Sequence, residues 1–281
     1  MALDLKNLFN RAPVVAVVPL RGVVGGGSVR RGLSVGVLAG ALERAFKTRH
    51  VKAVALVVNS PGGSPVQSAL ICNRIRALAD EHKVPVLAFA EDVAASGGYW
   101  LACAGDEIWA DDSSIIGSIG VVSAGFGFVD LIKRLGVERR VHTAGEHKTL
   151  LDPFKDEKAD DVKRLRQIQT DIHDAFRAAV RARRGDRLKG DEAALFSGEF
   201  WTGRRALELG LIDGIGDVRT VVRAKFGDKV RLRPVGPKKP LLRLPLLRGA
   251  AGTDPAAGGW DLGRGLLAAV EERLHWHRFG L

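Results

Sequence analysis

The chain has 281 residues, 46% of them hydrophobic, which is enough to bury one large or two small cores and excludes a disordered or fibrous class. Its 43 Lys and Arg against 32 Asp and Glu leave a net +11. Apolar runs such as Val14 to Val18 and Val54 to Val58 are strand-length, far short of the roughly 20 residues a membrane-spanning helix needs.

Met1 to Val24 has neither a continuous apolar core nor a small-residue cleavage site, so no signal peptide is read there and the chain is expected to stay in the cytoplasm. Val14 to Leu20 reads as a first strand, Gly22 to Gly32 as a glycine-rich loop, and Val35 to Lys47 as a helix with Val35, Leu38, Leu42 and Phe46 on one side. Val51 to Val58 is apolar enough for a strand buried on both faces. Asn59-Ser60-Pro61-Gly62-Gly63 turns the chain into a helix over Val66 to His82, with Ile71, Ile75 and Leu78 facing inward. Val84 to Ala90 is the next strand. A small-residue corner follows, Asp92 to Tyr99, then a short helix at Tyr99 to Ala104, a strand at Glu107 to Ala110, and a turn and strand within Ile115 to Val122.

Asp156 to Arg184 is the longest helical pattern, with Leu165, Ile168, Ile172, Phe176 and Ala179 spaced for a packed face. Asp171, His173 and Asp174 on it carry no functional signal. Pro234 to Pro245 reads as a linker, Ala250 to Gly259 as low in complexity, and Leu266 to Phe279 as a last helix that docks on the body or a neighbouring subunit, or lies on a membrane. Strands alternating with helices predict an α/β fold with a mostly parallel sheet. Cys72 and Cys103 are too few for a disulfide framework and are expected as buried free thiols.

The basic excess is local: Arg219 to Arg248 holds ten basic residues and one acidic residue, Asp228. A solvated surface accounts for such a stretch, and anionic lipid is the other partner it fits. Nucleic acid is not expected, since no aromatic interleaving or nucleic-acid motif accompanies the charge.

Ser96 is the candidate nucleophile. Alanines precede it and Gly97-Gly98 follow, which keeps bulk from the hydroxyl, although a serine before two glycines is more often only a turn or a helix start. A serine acts only with a base in reach and with donors for the oxyanion. Two parallel strands ending in glycine corners would bring the N–H groups of Gly63 and Gly97 toward one point. For the base, His82, His142 and His147 lack a partnering acid in an obvious motif. Lys148 stands in Thr143 to Leu151, a loop of small and apolar residues in which an ammonium would lose hydration.

Four ordered words, Asn59-Ser60-Pro61-Gly62-Gly63, Ala95-Ser96-Gly97-Gly98-Tyr99, Gly117-Ser118-Ile119-Gly120-Val121 and Gly145-Glu146-His147-Lys148, the last followed by Asp152-Pro153-Phe154, resemble the SppA-type signal peptide peptidases of peptidase family S49. Later words, Ser197-Gly198-Glu199 to Trp201-Thr202-Gly203 and Gly210-Leu211-Ile212-Asp213, extend the likeness. The resemblance implies a ClpP/crotonase-like fold in a protease domain over residues 1–233, with 234–281 as a basic linker and terminal helix. It implies Ser96 as acylating nucleophile, Lys148 as general base, Ser118 as the residue that orients the lysine, and Gly63 and Gly97 as the oxyanion hole, with no metal and no cofactor. It also implies peptide substrates, signal-peptide remnants among them, and a ring of identical subunits with active sites at the interfaces. Unlike many members, this chain begins almost directly with its first strand. It is therefore expected to act on cytoplasmic peptides, or to touch the inner face of the membrane peripherally through its basic arm. Two rival classes stay open: a crotonase-like acyl-CoA enzyme, in which carboxylates would do the acid–base work, and a non-catalytic oligomeric scaffold of the same fold.

Overall fold

Residues 12–25, 32–145, 147–237, 270 and 273–280 are described by a computed structural model of the chain. Among the described residues eight strands form one sheet: β1 (Val14–Arg21), β2 (Val51–Ser60), β3 (Val86–Ala95), β4 (Glu107–Ala110), β5 (Ile115–Gly117), β6 (Phe200–Thr202), β7 (Gly214–Ile215) and β8 (Arg231–Pro234). The main path runs β6-β5-β3-β2-β1-β8, with β4 on β3 and β7 on β4. Every pairing is parallel except that of β5 with β6.

The strands alternate strictly between two apolar layers, as a sheet covered on both faces requires. Ala16, Val18, Leu20, Val54, Leu56, Val58, Val86 and Ala88 belong to the larger core. That core also takes in Leu38 and Leu42 of α1 (Val35–Phe46), Ile71, Ile75 and Leu78 of α2 (Pro65–His82), and Leu101 of α3 (Gly97–Ala102). Val15, Ala53, Ala55, Leu87 and Phe89 point the other way, onto Val221 and Val222 of the helix Val218–Phe226. The helices start where the local chemistry dictates. Ser34 and Ser64 accept from the N–H groups of Val37 and Gln67, and Pro65 occupies the first turn of α2.

This is a mixed α/β fold, a mostly parallel sheet flanked by helices, of the ClpP/crotonase-like kind. Strands β1, β2 and β4 and helices α1 and α2 lie within two residues of their expected bounds. The third strand differs. It continues through Glu91 and Asp92 to Ala95, because β3 changes partner at that point: residues 87–90 pair with β4, and residues 93–95 pair with β5. Asn59 bridges the step, its Nδ2 donating to Asp92 Oδ2 at 2.6 Å and its Oδ1 accepting from Val93 N–H. The strand expected within Ile115 to Val122 is only Ile115–Gly117, because the chain leaves the sheet at Ser118.

Beyond β5 come α4 (Val129–Arg134), none of whose residues is buried, and α5 (Ala159–Arg184). The apolar stripe of α5 is covered only at its carboxyl end, where Phe176 and Val180 are buried; Ile168 is 49% exposed. That end is pinned by a buried pair: Arg184 donates to both carboxylate oxygens of Asp213 at 2.6 and 3.1 Å, and to the Gly210 carbonyl. The Gly210 to Asp213 word thus has a structural use.

Cys72 and Cys103 are buried free thiols, and burial pushes them up to about 11 and about 12. The expected linker falls outside the described residues beyond 237, and the low-complexity stretch 250–259 falls outside them entirely. Of the last helix, residues 270 and 273–277 are helical, and Phe279 meets Phe200 edge to face at 5.2 Å, so this end docks on the body at β6. No helix among the described residues is long and apolar enough to cross a membrane.

Candidate active site

Three neighbouring strands, β2, β3 and β5, end together, and each exit carries one of the expected words. Register pairs Ser60 with Ala94 and Ala95 with Gly117. Ser96 and Ser118 are therefore the next residues along two paired parallel strands. Both have left-handed backbones, at φ 52° and 53°. A side chain there is strained and persists only where neighbours hold it. Ser96 is held by its own N–H, which donates to the Gly117 carbonyl at 2.8 Å, and by its carbonyl, which accepts from Trp100 N–H at 3.0 Å. Gly97 to Trp100 are buried while Ser96 keeps partial exposure. Its hydroxyl makes no capping bond to the helix that starts at this sharp strand-to-helix corner.

The glycine corner after β2 lies against this turn. A Cβ placed on Gly97 would stand 3.3 Å from the Gly63 nitrogen and 2.5 Å from Ser68 Oγ, and one on Gly98 would stand 2.3 Å from the Ser60 carbonyl oxygen. Only glycine permits that approach. Val24 takes up the groups on either side of Gly63: its N–H donates to the Gly62 carbonyl, and its carbonyl accepts from Ser64 N–H. The N–H groups of Gly63 and Gly97 themselves donate to no acceptor among the described residues. Two adjacent undonated N–H groups beside a partly exposed hydroxyl can bind a carbonyl oxygen that is gaining charge.

Ser118 is 7% exposed, and its N–H donates to the Glu199 carbonyl at 2.7 Å. Ser96, Gly63, Gly97 and Ser118 are thus brought together. Lys148 is not joined to them. It is exposed in the turn at 147–150, and its only hydrogen bond among the described residues is its own N–H to the Gly145 carbonyl at 3.4 Å. The loss of hydration expected of its loop is not found within one chain, because residues 122–145 and 147–148 leave the sheet and little packs over them. Val122, Phe126 and Leu135 there are 64%, 79% and 67% exposed.

Several supporting residues have roles that the motifs do not state. Ser60 Oγ accepts from Gly62 N–H, and the fully buried Ser68 donates its hydroxyl to the Ser64 carbonyl, so the glycine corner rests on two hidden serines. His173 of α5, passed over as part of a charged face, puts Nε2 3.1 Å from the Ile119 carbonyl oxygen, next to Ser118. Helical periodicity could show that His173 and Phe176 share a face, but not that this face meets the Ser118 turn.

The geometry defines an α/β protein with a hydroxyl, two free backbone donors and a second serine gathered at the carboxyl ends of parallel strands. Residues 79–230 match the sequence model of Peptidase family S49, and the chain belongs to that family. The match includes Ser96, Gly97, Ser118 and Lys148 and begins after Gly63. A protein of Synechocystis carrying a protease name is 32% identical over 72% of this chain and 76% of its own length. Serine protease SPPA, chloroplastic, of Arabidopsis thaliana is 34% identical over 64% of this chain and 26% of its own. A Brucella abortus protein named Na(+)/H(+) antiporter NhaA is 54% identical over 95% of this chain, which spans 37% of that protein. That name belongs to a longer protein. The acyl-CoA alternative finds no counterpart in these relatives' names or in the matched family.

Proposed function

We propose that the chain is a serine endopeptidase of extended apolar peptides, signal-peptide remnants among them, in which Ser96 is the nucleophile and Lys148 of a neighbouring copy is the base. Ser96 Oγ attacks the scissile carbonyl carbon as its proton passes to the unprotonated Nζ of Lys148. The carbonyl π electrons move to oxygen, and the Gly63 and Gly97 N–H groups donate to the oxyanion. On collapse the C–N bond breaks, and the lysine returns the proton to the leaving amine. Water then attacks the acyl-enzyme by the same route, releasing the acid and restoring Ser96. Ser118 accepts or donates a hydrogen bond at Nζ and aims it.

The observation that carries this reading is the pair of undonated N–H groups, Gly63 and Gly97, beside the strained, partly exposed Ser96. Supply of Lys148 from a second copy is supported by its exposure on a segment with uncovered apolar side chains, which a ring of identical subunits would bury. A fluorophosphonate is expected to label the wild type on Ser96 and to leave Ser96→Ala unlabelled. The rate of peptide cleavage is expected to climb toward alkaline pH, since only a neutral amine accepts the serine proton. Labelling that survives in Ser96→Ala, or a rate independent of pH while chemistry is limiting, would remove serine or lysine from its role.

Peripheral contact with the cytoplasmic face of the membrane belongs to the same proposal, supported by Arg219, Arg223, Lys229, Arg231 and Arg233 exposed on and after the helix Val218–Phe226. The chain should co-sediment with phosphatidylserine vesicles at low salt and not with phosphatidylcholine vesicles. Equal recovery with both would sink it.

A further inference from the structure

We propose that His173 is a positioning residue of this site, acting through the Ser118 turn; the inference rests on the peptidase reading above. A carbonyl oxygen only accepts, so the nitrogen 3.1 Å from Ile119 O is the one that carries hydrogen, and His173 Nε2–H donates to it. Ile119 is fully buried and directly follows Ser118, whose left-handed backbone costs energy unless its flanks are fixed. Three hydrogen bonds fix them. Ser118 N–H donates to Glu199 O at 2.7 Å, Gly120 N–H to Ser118 O at 3.0 Å, and His173 to Ile119 O. The first two are backbone bonds that the neighbouring sequence does not vary. The third depends on one side chain.

The same turn of α5 reaches the nucleophile. Three residues after His173, and so on the same helix face, Phe176 stacks on Trp100 with ring centres 4.6 Å apart and planes 5° apart. Trp100 N–H donates to the Ser96 carbonyl. One rigid helical turn therefore grips both the helix behind Ser96 and the turn that carries Ser118. His173 and Phe176, three residues apart on α5, thus brace the flanks of both serine turns. If His173 lets go, the Ser118 turn relaxes and its hydroxyl no longer meets the lysine, while the oxyanion donors at Gly63 and Gly97 stay in place. Loss of His173 should therefore lower kcat rather than raise KM.

The test is a cycle of His173→Leu and His173→Gln in wild-type and Ser118→Ala backgrounds, read as kcat and KM on an unstructured peptide. Leu keeps the bulk without the donor, and Gln restores an N–H at similar reach. His173→Leu is expected to lower kcat about ten-fold with KM within about two-fold, and His173→Gln to stay within about three-fold of wild type. In the Ser118→Ala background, His173→Leu should cost less than about two-fold further, because the residue it acts through is gone. Independent, multiplicative losses, or Gln no better than Leu, overturn the proposal. Amide hydrogen exchange gives a readout apart from activity. The Gly120 N–H should lose about ten-fold of its protection in His173→Leu and keep it in His173→Gln; unchanged protection in both overturns the proposal in active or inactive protein alike. Cleavage by Ser96→Ala equal to wild type would instead condemn the peptidase reading, and the Gly120 exchange would still decide whether His173 holds the turn.

Discussion

Ser96→Ala and Lys148→Ala are each expected to lose about 10³-fold or more of the peptide-cleaving rate, and to recover activity when their subunits are exchanged into mixed assemblies. The size of the loss follows from removing nucleophile or base from a unit whose members act together. The recovery follows from placement. Ser96 sits at a strand end under two hydrogen bonds, whereas Lys148 is exposed on a segment that leaves its own body. If each site takes Ser96 from one copy and Lys148 from the next, a random mixture rebuilds about a quarter of the sites, since each position is intact in half the subunits. Assemblies shown by mass to contain both variants, yet inactive, would put serine and lysine in the same chain. A shared dyad would also make cleavage fall off with dilution once the assembly comes apart, with no change in the fold of the subunit.

The second large effect concerns stability. Asp213→Ala removes the only carboxylate that Arg184 pairs with among the described residues, and the Arg184 side chain is 1% exposed. A buried guanidinium left without its partner costs about 3–5 kcal/mol. For a chain of this size that corresponds to a melting temperature lower by roughly 10 °C. The pair also carries a pH signature. Burial opposes ionisation of Asp213, but the Arg184 hydrogen bonds, the Ile108 N–H and the charges of Arg184 and Arg187 outweigh it and hold the carboxyl below its ordinary value. A group depressed in the folded state stabilises fully above its unfolded value, about 3.9, and loses that contribution as pH falls through the folded value. The stability difference between wild type and Asp213→Ala, measured by denaturant melts from pH 7 to pH 3, should accordingly shrink below about pH 4. A difference that stays constant through that range would mean that the charge of Asp213 contributes nothing. Because α5 is anchored here and reaches the two serine turns eight and eleven residues earlier, at Phe176 and His173, loosening Asp213 should also slow the enzyme.

Sequence pattern located most of this architecture where one physical rule dominated. Strand-length apolar runs marked β1 and β2, the three-and-four spacing of Leu38, Leu42, Ile71 and Ile75 marked α1 and α2, and the glycine words marked the corners that the sheet gathers at one edge. It stopped short where tertiary pairing overrode local character. Glu91 and Asp92 look like a turn, yet they form the step at which β3 exchanges β4 for β5, with Asn59 thirty-odd residues away supplying the bonds. The apolar stripe of α5 promised a fully packed helix, but its first half lies uncovered, as does α4. For the site, the small residues announced themselves because close backbone approach needs glycine. His173 did not, since a side chain that serves a backbone carbonyl 54 residues away has no local pattern to betray it, and Ser60 and Ser68 serve backbone groups two and four residues off whose burial no local pattern shows. Lys148 stands in its word, but within one chain it is exposed, so the surroundings that would strip its hydration are not local.

The most direct test of the central claim is digestion of an unstructured apolar peptide by wild type and by Ser96→Ala, with products identified by mass. Internal cleavage by the wild type, giving two fragments whose masses sum to the peptide plus one water, and an intact peptide with Ser96→Ala is the predicted result. Fragments that appear equally with Ser96→Ala, or none with a fully assembled wild type, would contradict it.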